Sequence, residues 1–317
     1  MKISLVTPAR VTALGGNRTT AVRWQRLLRG LGHSVDLVQT WRDDEADVLI
    51  GLHARKSFDS IRRFHEVREG APLIVALAGT DLYRDLDQGD EVQRAVELAT
   101  CVVALQPAAL ERLPAAVHDK VHVILQSAEP APSPQKSLSD RFEVSVLSHL
   151  REIKDPLLAA YATRRLPATS RIVVEHAGAV LDEELGGRAR KESETNPRYR
   201  WLGPLSFDRA RELLSRSRLM VLSSRDEGGA NVVSEAIVAG VPVLSTDIPG
   251  SRGLLGDDYP GYYPVGDDEA LASLLLQAES EPSYLAKLED HCVRLRPNFT
   301  PEGEREAWRE LLDSVWG

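Results

Sequence analysis

Short runs of apolar, mostly β-branched residues recur along the chain, with amphipathic stretches between them. In the first half they are Ile3–Val6, Val35–Val38, Val48–Ile50, Leu73–Leu77, Val102–Leu105 and Val121–Leu125. In the second half they are Phe142–Leu147, Ile172–Val174, Tyr199–Leu202, Leu219–Leu222 and Val241–Leu244. Runs of this length, bounded by Gly, Pro or Asp, read as buried parallel strands. The intervening segments carry a helical period: Trp24, Leu27, Leu28 and Leu31 fall on one face. Alternation of strand and helix over the whole length predicts doubly wound α/β sheets.

The alternation breaks at Glu129–Asp140, EPAPSPQKSLSD, where three prolines and polar residues show no period. That composition marks a linker or a proline-rich surface loop. The strand-like run that restarts at Phe142 favours a domain boundary. We therefore expect one Rossmann-like domain at residues 1–138 and another at 139–300. A last helix, about 301–317, follows Pro301. It places Trp308, Leu311, Leu312 and Val315 on one stripe and is expected to pack back on the first domain. Two such domains facing a central cleft suit a two-substrate reaction, with ligands at the carboxyl ends of the strands.

A length of 317 residues fits two domains or one large one. The composition, 43% hydrophobic and 27% charged, is that of a globular protein and argues against disorder. A net charge of −8 and only 5% aromatic residues disfavour nucleic acid as a partner. Any anionic ligand must therefore be held by a local cluster of charge. Cys101 and Cys292, far apart, exclude a disulfide scaffold and a cysteine-ligated zinc site. No run approaches the roughly 18 apolar residues of a membrane span, and Thr7-Pro8 interrupts the first apolar run too early for a signal segment. A cytoplasmic protein is expected. The oligomeric state is not legible.

The richest stretch is Leu222-Ser223-Ser224-Arg225-Asp226-Glu227-Gly228-Gly229-Ala230-Asn231-Val232-Val233-Ser234-Glu235-Ala236. A strand ends at Leu222, and a glycine-rich turn leads into a helix, with Asn231 as N-cap and Gly240 as stop. Strand, small-residue loop and helix start together present backbone amides to an anion. Glu227 and Glu235 flank the loop, although a solvated turn and a helix-dipole acid would account for them as well. In the same half, Ser148-His149-Leu150-Arg151-Glu152-Ile153-Lys154-Asp155-Pro156 places Arg151 and Lys154 after a strand, as a cationic pair or a solvated helix start. Trp201-Leu202-Gly203-Pro204-Leu205 turns after another strand. The acidic runs Asp43-Asp44-Glu45 and Asp267-Asp268-Glu269 read as turns and helix starts, and no Asp-x-Asp metal motif stands in a suitable place.

These residues resemble the donor-site signature of the retaining GT-B glycosyltransferases, the large family of sucrose and mannosyl transferases. The resemblance implies a GT-B fold of two Rossmann-like domains. It implies that Glu235 holds the ribose of a nucleotide sugar and that Glu227 lies beside the transferring sugar. Gly228, Gly229, Ala230, Asn231 and Val232 would line the donor, with Leu202 near the base. Arg151 and Lys154 would neutralise the leaving diphosphate, although they stand closer together here than in many relatives. Such a pair replaces a metal, so transfer without metal or cofactor is expected.

In the first half, Gly15-Gly16-Asn17-Arg18-Thr19-Thr20 opens a helix after the first strand, and Arg23 follows. The glycines do not fit a dinucleotide fingerprint. Asn17, Arg18, Thr19 and Arg23 supply donors and charge that suit a small oxyanion; a capped helix with surface arginines is the alternative. His53, Lys56 and Ser57 follow the strand Val48–Ile50, as an anion pocket or as structural hydrogen-bonders. Ala78-Gly79-Thr80-Asp81 stands where many relatives carry a histidine before Gly-Thr-Asp. Ala78 removes that histidine and opens the role to His53, while Asp81 positions a hydroxyl or orients a base, with an Asx-turn or helix N-cap as the alternative.

Taken together, Gly16–Trp24, Leu52–Ser57, Gly79–Tyr83, His149–Pro156, Glu227–Val233, Ile248–Gly250 and Gly253–Tyr262 resemble the selenosugar synthases of selenoneine biosynthesis within that family. The resemblance implies transfer of a hexose or N-acetylhexosamine from UDP-glucose or UDP-N-acetylglucosamine to selenophosphate. Catalysis would fall to Glu227, Arg151, Lys154, His53 and Asp81, and the acceptor to Gly15, Gly16, Asn17, Arg18, Thr19, Lys56, Ser57 and Thr80. A conventional hydroxyl acceptor and a non-catalytic UDP-sugar binder remain the alternatives.

Overall fold

A computed structural model of the chain describes residues 1–9, 15–130 and 140–316. Most of the proline-rich stretch 129–140 lies outside them. The chain divides into two compact units. The first comprises Met1–Ser127, Glu227–Asn231 and Thr300–Gly317, and the second Ala128–Asp226 and Val232–Phe299.

The first unit runs β1 (Lys2–Val6), α1 (Gly16–Gly30), β2 (Ser34–Val38), β3 (Val48–Leu52), α2 (Phe58–Val67), β4 (Leu73–Leu77), α3 (Asp90–Leu98), β5 (Cys101–Ala104) and β6 (Val121–Val123). The strands form one parallel sheet in the order β2-β1-β3-β4-β5-β6. The period-2 pattern sorts each strand onto both faces. Leu73, Val75 and Leu77 of β4 join Trp41, Ile61, Phe64 and Val92 on one side. Ile74 and Ala76 join Trp24, Leu28 and Trp308 on the other.

The second unit runs β7 (Phe142–Leu147), α4 (Leu158–Arg164), β8 (Ile172–Ala177), α5 (Glu183–Thr195), β9 (Tyr199–Trp201), α6 (Phe207–Arg216), β10 (Leu219–Leu222), α7 (Asn231–Ala239), β11 (Val243–Thr246), α8 (Pro249–Leu255), β12 (Tyr262–Tyr263), α9 (Asp268–Ser280) and α10 (Pro282–Leu295). Its parallel sheet has the order β12-β11-β10-β7-β8-β9. Gly240, at φ 71°, ends α7, and Val241 N–H returns to the carbonyl of Ala236 at 2.9 Å. That is the left-handed stop that glycine favours. Asp267 caps α9 by accepting from Ala270 N–H at 2.8 Å, so the acidic run there is a helix start. No helix among the described residues is long and apolar enough to cross a membrane.

The last helix, α11 (Pro301–Trp316), lies on α1. Trp24 and Trp308 meet edge to face, ring centroids 4.8 Å apart. Such a pair adds about 0.5–1.5 kcal/mol beyond its buried area. Beneath the aromatic contact is a buried carboxylate. Glu304 accepts from Arg23 Nε at 2.9 Å, Trp24 Nε1 at 2.8 Å and Ser127 N–H at 2.8 Å, and from the Ser127 hydroxyl.

In the second unit, His176 of β8 is wholly buried. Its Nε2 donates to the Ser148 carbonyl at 2.8 Å, and its Nδ1 accepts from Tyr199 hydroxyl at 2.7 Å. Burial pushes the imidazole down to about 4. A histidine neutral in the fold and protonated in the unfolded chain stabilises fully above its unfolded pKa, about 6.5. That contribution is lost as the pH falls toward about 4. The shift predicts a loss of about 3 kcal/mol over that window. Urea unfolding of wild type and His176→Gln between pH 7 and 4 checks it: the variant should lack this component of the slope, and parallel curves would contradict it.

Candidate active site

Chain order reverses between β1 and β3 in the first sheet and between β7 and β10 in the second. In open α/β sheets the crevice outside the carboxyl ends at such a switch is where ligands bind. The candidate residues follow these strands: Gly15–Thr19 after β1, His53–Ser57 after β3, Arg151–Lys154 after β7 and Glu227–Asn231 after β10. Thr80 and Asp81 follow β4, next to β3.

In the second unit, the loops after β7 and β10 are joined. Ser223 hydroxyl donates to the Lys154 carbonyl at 2.9 Å, and Arg225 N–H to that of Ile153 at 2.8 Å. The Arg225 guanidinium pairs with Asp155 at 2.8 Å, and Asp155 takes the left-handed φ of 41°. Arg151 is exposed and Lys154 partly so. Both act on His149, whose pKa is lowered by burial first and then by these two charges. Arg151 and Lys154 therefore stand on a braced turn. Glu235 is half-buried in α7, and Leu202 follows β9 toward the edge of the sheet, its N–H bonded to His176 O at 2.8 Å.

Glu227–Asn231 packs with the first unit. Glu227 is half-buried. A Cβ on Gly228 would lie 2.5 Å from backbone atoms of Ala78 and Gly79, and one on Gly79 (φ 137°) 2.8 Å from Gly228 N. Two glycines thus let two backbones touch. Gly229 rests on Leu105, and its carbonyl accepts from Gln126 Nε2 at 2.6 Å. Asn231 is already helical. Its side chain caps nothing: Oδ1 accepts from Arg23 Nη1 at 2.7 Å, and Nδ2 donates to Thr20 Oγ1 at 3.3 Å. The N-cap reading of Asn231 is corrected accordingly.

The first-half candidates sort into free cations and internal braces. Arg23 is not an anion donor, because Glu304 neutralises it. Among the described residues, Arg18 and Lys56 have no ion-pair partner, and Lys56 is exposed. Gly15 (φ 151°) precedes α1, and its carbonyl accepts from Arg18 N–H at 3.0 Å and Thr19 N–H at 3.2 Å. Gly16 and Thr19 are exposed, and Asn17 is half-buried. Ser57 is buried, with its hydroxyl donating to Leu52 O at 2.7 Å, so it braces the turn and does not face an acceptor.

Asp81 is 0% exposed. Its carboxylate accepts from the N–H groups of Ala54 (2.9 Å), Ala78 (2.9 Å), Gly79 (2.7 Å) and Leu82 (3.2 Å). It therefore ties the loop after β3 to the loop after β4; none of these bonds is to the N–H two residues on, so the Asx-turn reading is corrected, and the carboxylate faces backbone groups and the His53 ring. His53, buried at φ 71°, places Nδ1 3.6 Å from Asp81 and Nε2 3.0 Å from Thr80 Oγ1. Burial lowers its pKa, Asp81 opposes the shift, and Lys56 reinforces it. The imidazole is neutral near pH 7 and joined to the half-buried Thr80.

Gln126, Thr20 and Glu304 were not candidates from the sequence. Their partners lie roughly a hundred residues or more away in the chain, and no local spacing marks them.

Two doubly wound parallel sheets, each with a reversal of strand order, place the chain among α/β proteins built from two Rossmann-like units. The profile of the family "Glycosyl transferases group 1" matches residues 132–294, just over half the chain, and the chain belongs to that family. A Xenopus tropicalis relative, "Glycosyltransferase 1 domain-containing protein 1", is 22% identical over 94% of both chains. Sucrose-phosphate synthase from Thermosynechococcus elongatus superposes with a TM-score of 0.79 at 13% identity over 99% of each chain. Anabaena HepE in complex with UDP-glucose gives 0.79 at 16% over 99% of this chain and 100% of that one. The fold is GT-B.

The glycine contact supplies a test. Gly228→Ala must lift the loop from Ala78 and Gly79. Transfer should fall ~10²-fold, the scale of a 1 Å misplacement, with the circular dichroism of the sheets unchanged. Wild-type turnover would show that the loop has slack.

Proposed function

We propose that the chain transfers a hexose or N-acetylhexosamine from a UDP-sugar to selenophosphate. The selenium lone pair attacks the anomeric carbon, and the bond to the β-phosphate oxygen breaks with its electron pair leaving on UDP. Water then cleaves the P–Se bond, giving phosphate and a 1-selenosugar. On the donor side, Glu235 holds the ribose and the Gly228–Val232 amides face the diphosphate. Arg151 and Lys154 stabilise the charge that grows on it, so no metal is required. Glu227 lies beside the sugar and Leu202 by the base. The UDP-glucose complex of HepE, a protein of the same fold, supports the donor class.

The observation that carries the acceptor is the pair of cations without an ion-pair partner among the described residues, Arg18 in α1 and Lys56 in the turn after β3, which follow adjacent strands of a chain with net charge −8. With the first amides of the helix start, Gly16 and Asn17, they suit a small oxyanion. A selenium anion needs little base activation. The second reading, a conventional hydroxyl acceptor, draws on the neutral His53 beside Thr80, which could serve as base.

UDP release from UDP-glucose and UDP-N-acetylglucosamine, with and without selenophosphate, separates these readings. Release should require selenophosphate and persist in EDTA. Arg18→Ala and Lys56→Ala should raise the selenophosphate KM by ~10- to 100-fold and leave UDP affinity alone. Release with hydroxyl acceptors alone would favour the second reading, and UDP binding without release a non-catalytic protein.

The donor assignment is checked separately by calorimetry. Glu235→Ala should weaken UDP by ~1–3 kcal/mol, and an unchanged affinity would remove Glu235 from the ribose site.

A further inference from the structure

The loop Glu227–Asn231 is held by a closed chain of hydrogen bonds whose side chains from outside the loop carry no assigned role in transfer. Glu304 fixes the Arg23 guanidinium through Nε, 2.9 and 3.2 Å from its two oxygens. That leaves the two Nη groups to point elsewhere: Nη1 reaches Asn231 Oδ1 at 2.7 Å, and Nη2 reaches Gln126 Oε1 at 2.6 Å. Thr20 hydroxyl also donates to Gln126 Oε1, at 2.5 Å. Two donors on Oε1 determine which way the Gln126 amide faces. Its Nε2 is thereby directed to the Gly229 carbonyl at 2.6 Å. Gln126 is 2% exposed, so the centre of the network is sheltered from water, while Arg23 and Asn231 are part-buried. Buried networks that are fully satisfied specify one geometry.

We propose that Gln126 and Arg23 are positioning residues for glycosyl transfer: they fix the loop at Gly229 and Asn231 and so set where Glu227 and the loop amides stand. The inference rests on the reading of this loop as the donor loop. Neither side chain contacts the donor in this scheme. Gln126 acts through one carbonyl and Arg23 through one side-chain oxygen, on either side of Ala230. Arg23 is thus assigned to the architecture of the donor loop, and its charge is balanced by Glu304.

Gln126→Glu is the discriminating variant. It keeps the size of the side chain and the oxygen that accepts from Thr20 and Arg23. It replaces only the donor that meets Gly229 O with a second oxygen. The expected result is a UDP affinity lowered on the order of 10-fold by calorimetry, the scale for one buried hydrogen bond lost, with the melting temperature of the ligand-free protein within a few degrees of wild type. The rise in melting temperature that saturating UDP gives should shrink in parallel. Arg23→Lys, which retains a cation for Glu304 but loses both Nη contacts, should reproduce the defect and guards against a fold failure in the first variant. In turnover, both should raise the UDP-sugar KM or lower kcat while the acceptor KM stays put, a split that general destabilisation would not produce. A folded Gln126→Glu or Arg23→Lys with wild-type UDP affinity and wild-type kcat overturns the proposal. Glu235→Ala run alongside separates the two failures. If it too leaves UDP affinity unchanged, the donor reading itself falls. If it weakens UDP while both positioning variants behave as wild type, only the present inference does.

Discussion

The buried carboxylate of Glu304 is the interaction on which the first unit turns. At 3% exposure, an unpaired carboxylate would cost several kcal/mol. Here it accepts from one guanidinium, one indole, one backbone amide and one hydroxyl. The donors come from α1 and from the segment after β6, while the acid comes from the last helix. Ion pair and aromatic contact therefore act on the same two helices, and the chain's end is returned to the sheet where the chain began. The same carboxylate orients Arg23, and Arg23 orients what lies beyond it. A charge placed for stability thus becomes a geometric reference for the candidate donor loop.

The basic residues divide by the same logic. Arg23 and Arg225 are paired with acids and act as braces. Arg18, Lys56 and Arg151 have no acid beside them among the described residues. A chain with net charge −8 can attract an anion only where its cations are not already neutralised. The free ones follow β1, β3 and β7, the strands that border the two reversals of strand order. Braced turns matter as much as the charges. Asp81 ties two loops with four accepted N–H bonds, and Ser223 and Arg225 tie the Arg151–Lys154 turn to its neighbour. Charge stabilisation in a transition state depends on groups that need not reorganise, and these ties supply that rigidity.

The doubly wound architecture was legible because buried parallel strands leave continuous apolar runs. Of twelve strands among the described residues, eleven coincide with such runs. The exception, β12, is two tyrosines at a sheet edge, too short to leave a pattern. Local motifs at strand ends were legible for the same reason. What the sequence concealed was the pairing of side chains across long separations. Arg23 looked like a free cation because its acid stands 281 residues away. Glu304 itself reads as an ordinary first-turn acid of an amphipathic helix, and only burial distinguishes it. Ser57 and Asp81 sit where ligands bind, yet their polar atoms turn inward to backbone groups. No spacing rule separates that case from its opposite.

His53 shows how such a local arrangement bears on chemistry. A left-handed φ in a non-glycine residue is held only where surrounding contacts over-determine it. Here the Asp81 ties to Ala54 and Ala78 fix the backbone on both sides of the ring. The imidazole is thereby buried between a carboxylate it does not quite reach and the hydroxyl of Thr80. Burial outweighs the nearby acid and keeps it neutral. With Nδ1 facing the carboxylate, Nε2 is the natural acceptor for the Thr80 hydroxyl. A protonated His53 would add positive charge beside Lys56; the neutral ring does not. The histidine then holds Thr80 in place. Ala78 stands where the resemblance to the family would put a histidine, and the histidine that follows the neighbouring strand is arranged as a brace.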